Sequence, residues 1–141
     1  LLLLLDLDLR SATRTFLREG QFYELRDGRK KKCWLLLFND VLILGKYSRK
    51  KLKGKMFKYR NHWLLAEVRC NDNPPEMDAK YLAAGFSLTC KGDAAVLLVA
   101  PTKEAKYLWT SEITTWTELS KQNISKQTGF NFFFFFVVLL R

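Results

Sequence analysis

Residues 30–46 read KKKCWLLLFNDVLILGK, and this stretch decides the fold. Two apolar runs, 33–38 and 41–44, are divided by Asn39-Asp40, residues that tolerate the backbone angles of a tight reversal. Lys32 to Phe38 therefore reads as a strand that returns as Val41 to Leu44. Just upstream, Gln21 to Leu25 follows Gly20 and ends in Arg26-Asp27-Gly28-Arg29. An Asp-Gly pair between apolar runs is a strong hairpin signal, so the first three strands form a meander.

Downstream, residues 46–55 are almost without apolar side chains and read as a loop. Alternation resumes at Met56-Phe57-Lys58-Tyr59-Arg60, a fourth strand, and Trp63 to Cys70 reads as a fifth. Asn71-Asp72-Asn73-Pro74-Pro75 breaks the pattern. Phe86 to Cys90 alternates, Lys91-Gly92-Asp93 turns, and Ala94 to Ala100 runs back, which makes seven short strands. Next comes an amphipathic helix. Thr102 is placed to cap it after Pro101, and Glu104 stands in its first turn. Ala105, Leu108, Trp109, Ile113, Trp116 and Leu119 recur at spacings of three and four, a single apolar stripe that ends near Lys121-Gln122-Asn123.

The order and spacing of these strings resemble a pleckstrin homology (PH) domain. FLREGQFYEL is similar to that family's first strand, KKKCWLLLFNDVLILGK to its second and third, and EAKYLWTSEITTWTEL to its closing helix, with Trp109 at the family's characteristic tryptophan. FNDVLIL followed by KMFKYRNHWLLAEV is most similar to the subgroup that follows a Dbl homology domain in Rho-family guanine nucleotide exchange factors. The resemblance implies a mainly β fold: a partly open barrel of seven antiparallel strands in two near-orthogonal sheets, capped by one C-terminal helix. It covers residues 16–122 as one domain. Residues 1–15 form a leucine-rich lead-in that suits the end of a preceding helical domain, and 123–141 are a tail with no structure assigned from sequence.

At 141 residues, 48 % hydrophobic, the chain is about one domain's worth and rich enough to build a core. Cys33, Cys70 and Cys90 are odd in number and stand apart, which argues against a disulfide framework or a zinc site and for buried thiols in a reducing compartment. The longest apolar run, Phe132 to Leu140, is short of the roughly 18 residues a membrane-spanning helix needs. His62 is the sole histidine, the carboxylates show no paired arrangement, and no nucleotide or hydrolase fingerprint is present. The expectation is a non-enzyme without metal or cofactor.

What the composition does offer is charge: 24 Lys and Arg against 14 Asp and Glu, a formal +10. Of the 24, 13 lie in two segments: Arg26, Arg29, Lys30, Lys31 and Lys32, and then Lys46, Arg49, Lys50, Lys51, Lys53, Lys55, Lys58 and Arg60. The PH resemblance brings both segments to the open rim of the barrel, where that family binds phosphoinositide headgroups. Arg26, Arg29, Lys30, Lys31, Lys46, Arg49, Lys50, Lys51, Lys53 and Lys55 are thus the candidate headgroup contacts, with Leu108, Trp109 and Trp116 as the helix's core residues. Near an anionic leaflet each such cation is worth about 1 kcal/mol. Tight binders of the family place a Lys at the end of strand one and Lys-x-Arg at the start of strand two. Here Glu24 and Cys33 occupy two of those places and only Lys31 matches, which points to weak, charge-driven adhesion.

The expected partners are an anionic membrane or phosphoinositides, an adjacent exchange-factor domain and a Rho-family GTPase, and the expected location is cytoplasmic, peripheral at the inner face of membranes. Two other readings of the basic segments stand beside this one: solvated surface charge, and a nucleic-acid site without the aromatic platform or recognition helix such sites use. The domain as a whole has the alternative reading of a protein-interaction module on the same scaffold, binding a GTPase or holding a peptide between the helix and strand five.

Overall fold

The two short turns set the register of the first half of the molecule. In the computed structural model, which describes residues 14–50 and 54–139 and the side chains of these except 49, 50, 55 and 123–139, Asp27 and Gly28 take φ of 53° and 71°. Positive φ at both central residues is what a type I′ hairpin requires. From that turn β1 (Phe16–Arg26) and β2 (Arg29–Phe38) pair antiparallel from Arg26↔Arg29 to Phe16↔Phe38. β3 (Val41–Lys50) returns along β2 from Leu42, opposite Leu37, and β4 (Gly54–Leu64) returns along β3. A second meander, β5 (Val68–Asn71), β6 (Gly85–Cys90) and β7 (Val96–Val99), joins the first where Tyr23, Glu24 and Leu25 face Val99, Leu98 and Leu97.

The result is seven antiparallel strands in the order β4-β3-β2-β1-β7-β6-β5, followed by one C-terminal helix, α1 (Lys103–Leu139). The two sheets of the expected architecture are joined into one open sheet, because β1 pairs with β2 along its length and with β7 near its end.

Alternation along β2 and β3 sorts their apolar run onto two faces. Cys33, Leu35, Leu37, Leu42 and Leu44 point into the main core with Phe22, Phe86, Trp63 and Trp109. Leu36, Phe38, Val41 and Ile43 form a second cluster with Phe57, bordered by Trp34 and Tyr47. A strand buried on both sides reads as an unbroken apolar run, as 33–38 does.

Several sequence expectations need correction. Residues 46–50 and 54–55 are strand, not loop: Lys46↔Lys58 through Lys50↔Gly54 extend the β3–β4 ribbon beyond the core. Backbone pairing continues there with few apolar side chains, among them Tyr47 and Phe57, which pack edge-on at 5.2 Å. Trp63 to Cys70 is not one strand. β3 offers no partner beyond Val41, opposite Leu64, so the chain makes a 3-10 turn at Leu65–Glu67, with Leu65 N–H donating to the Asp40 carbonyl at 2.9 Å, before β5 begins. The helix runs past 121–123 to Leu139.

Thr102 does cap that helix, its Oγ1 accepting from the Ala105 N–H at 3.0 Å. Leu108, however, is 43 % exposed and is not a core residue. The buried face runs through Lys106, Trp109, Thr110, Ile113, Thr117 and Ser120, and loop carbonyls beneath it supply partners for Lys106 and Ser120. The Lys106 ammonium donates to the carbonyls of Asp72 (2.8 Å) and Leu82 (2.9 Å), and Ser120 donates to that of Asn39 (2.9 Å). Trp109 sits edge-on to Phe22 at 5.0 Å, and Trp116 is half-buried against the same core. The expected lead-in, apart from Arg14 and Thr15, lies outside the described residues.

Candidate anion-binding groove

The open end of the sheet holds a groove of about 700 Å³ between the β1–β2 hairpin and the β3–β4 ribbon. Arg26, Lys31, Lys32, Lys46, Lys58 and Arg60 bring cations to it, and Tyr59 and Trp34 line it as well. Register explains the grouping. Lys31 stands opposite Glu24, and Lys46 directly opposite Lys58. Like charges facing each other across two strands repel, a cost that an anion lying between them offsets.

Arg60 reaches the groove through an irregularity. Leu44 faces Asn61 but Gly45 faces Tyr59, so Arg60 is the extra residue of a bulge, and a bulge re-aims the side chain it carries. Its guanidinium forks onto both oxygens of Glu24, with Nη2 donating to Oε1 at 2.6 Å and Nη1 to Oε2. In a flat sheet β1 and β4 lie three strand spacings apart, about 14 Å. Their contact measures how strongly the sheet curls. Glu24 is only 4 % exposed, and the hydrogen bond it accepts raises the Arg60 guanidinium above its ordinary range. The carboxylate that stands where tight binders carry a lysine is therefore paired from across the sheet. Cys33, where they carry an arginine, is buried, and burial first and Glu24 second push its thiol up to about 12. It stays an uncharged thiol.

The candidate contacts do not all converge. Arg26, Lys31 and Lys46 line the groove. Arg29 is exposed at the hairpin end opposite Arg26. Lys30 is turned away, its ammonium 4.2 Å from the centre of the Tyr23 ring. Arg49, Lys50 and Lys55 are on the ribbon with side chains outside the described set, and Lys51 and Lys53 lie outside the described residues. Lys58 and Arg60 belong to the groove but were counted in the sequence only as charge. The pairing of Lys58 with Lys46 would have been found by extending the hairpin through the polar segment.

Elsewhere, β5 is the other edge of the sheet and packs near α1, leaving clefts of about 570 and 250 Å³ bordered by Arg69 and Lys121. His62 shares a 2.5 Å hydrogen bond with the Tyr59 hydroxyl. Among the described residues, no cluster of His, Cys, Asp and Glu could hold a metal, and no helix is long and apolar enough to cross a membrane.

A family model described as SOS1/NGEF-like PH domain matches residues 11–116. Rac guanine nucleotide exchange factor B of Dictyostelium discoideum is 39 % identical over 64 residues, 45 % of this chain and 5 % of that protein. Among solved structures, a chain of the crystal structure of human RhoA in complex with the DH/PH fragment of PDZRHOGEF is similar with a TM-score of 0.61 at 20 % identity, over 82 % of this chain and 31 % of that one. The Slm1 PH domain in complex with phosphoserine is similar with a TM-score of 0.55 at 14 % identity, over 73 % of this chain and 97 % of that one. The chain thus spans a small part of the exchange factors it matches, and at these identities the solved structures speak for the fold.

Proposed function

Because the chain belongs to the SOS1/NGEF-like PH domain family, we propose that it is a non-catalytic membrane-targeting and regulatory module of a Rho-family guanine nucleotide exchange factor, binding anionic lipid headgroups weakly in the basic groove. The observation that carries this reading is the facing pair Lys46 and Lys58, with Arg26 and Lys31 across the groove and Glu24 already satisfied by Arg60. Five cations, Arg26, Lys31, Lys32, Lys46 and Lys58, line one groove, and at about 1 kcal/mol each near an anionic surface they give adhesion that salt screens. The basic rim would hold a neighbouring exchange domain at the leaflet and orient it toward a membrane-anchored GTPase, or occlude it until released. The Rac exchange factor relative favours that context.

Sedimentation with vesicles tests the reading. The chain should pellet with phosphatidylcholine vesicles carrying phosphatidylserine and not with phosphatidylcholine alone, less so as salt rises, and K46E/K58E should abolish the difference. Binding that ignores both salt and the double substitution would refute it. The free edge of β5 beside α1 favours a second reading, a peptide-binding module. On that reading no vesicles would be bound.

A further inference from the structure

We propose that the Glu24–Arg60 pair sets the selectivity of the groove: it withholds the Arg60 guanidinium from phosphate, so that the groove accepts diffuse anionic charge and does not reward a headgroup bearing several phosphate monoesters. The inference rests on the charge-driven reading of the same groove.

The geometry makes the competition direct. An arginine fork fits a carboxylate and a phosphate in the same two-bonded manner, so the donors Arg60 gives to Glu24 are the donors a phosphate would take. Arg60 borders the groove with its side chain 38 % exposed, whereas that of Glu24 is 5 % exposed behind it. A phosphate that captured Arg60 would strand a buried carboxylate without its partner, a costly state. One that left the pair intact would find the Arg60 fork already taken and gain no donor from it. Either way additional phosphates gain little, while a single anionic headgroup is served by Lys46 and Lys58 at the mouth.

Removing the Glu24 charge should release its partner. Glu24→Gln keeps the shape and weakens the pair, freeing the Arg60 fork for phosphate. Affinity for vesicles carrying phosphatidylinositol bisphosphate should rise roughly tenfold, the scale of one added hydrogen bond to a charged group. Affinity for phosphatidylserine vesicles should change far less, and E24Q/R60Q should lose the gain. Glu24→Ala, which also frees the Arg60 fork, should move in the same direction and serves as the second variant if E24Q does not fold, as judged by its unfolding transition.

Soluble inositol trisphosphate, titrated calorimetrically, separates lipid from free phosphate. A gain on it without vesicle binding would uphold the role of Glu24 and refute the membrane reading. Wild-type binding to phosphatidylserine vesicles with equal affinities of wild type and folded E24Q for every phosphorylated probe would overturn the inference and leave the membrane reading intact.

Discussion

Cys33 faces the main core from β2, and burial, ahead of the Glu24 carboxylate, pushes its thiol up to about 12; burial, ahead of Asp72, does the same to Cys70. A thiol whose folded-state value is raised from its ordinary 9.0 adds stability that is fully present below about pH 9 and lost as pH climbs toward 12, because the unfolded chain deprotonates first. Cys33→Ala/Cys70→Ala should flatten the alkaline loss of stability seen in urea titrations between those limits. An equally steep loss in the variant would contradict the assignment. Gly45 shows the same control by surroundings. A Cβ there would lie 2.4 Å from both the Lys58 carbonyl oxygen and Phe57 Cζ, inside the ribbon that shapes the groove. Gly45→Ala should cost about 1–3 kcal/mol, read as a lower urea midpoint at unchanged slope.

Elements were readable in the sequence where a local signal fixed them. Asp27-Gly28, Asn39-Asp40 and the Thr102 cap announce two turns and a helix start with side chains that act within a few residues. The rotation of α1 was not readable to the same degree, because the carbonyls of Asp72, Leu82 and Asn39 that receive Lys106 and Ser120 are remote in sequence. Leu108 and Trp109 make the difference measurable. Trp109→Ala should cost about 3–5 kcal/mol, since it removes the edge contact with Phe22, whereas Leu108→Ala should stay within about 0.5 kcal/mol. Comparable losses in thermal or urea unfolding would mean that the helix packs by the stripe its apolar residues suggest.

On the scale of the whole molecule, the charge excess resolves into a groove whose members come from three strand pairings. The resemblance placed both basic segments at one rim, and Arg26, Lys31 and Lys46 do meet there. It could not single out Lys58 or the neutralisation of Glu24, because the first depends on a ribbon that carries little apolar signal and the second on a one-residue bulge and the curl of the sheet. Nor did it divide the apolar run 33–44 between two clusters, which needs both faces of the sheet in view.

The central claim is that headgroups bind at this groove rather than at the free edge of β5. Its most direct test is a titration of the isotope-labelled chain with a soluble short-chain phosphatidylserine, followed by amide chemical shifts. The account predicts progressive, salt-sensitive shifts centred on Lys31, Lys46 and Lys58. Shifts centred on Val68–Asn71 and the facing turn of α1, or none at any concentration, would contradict it.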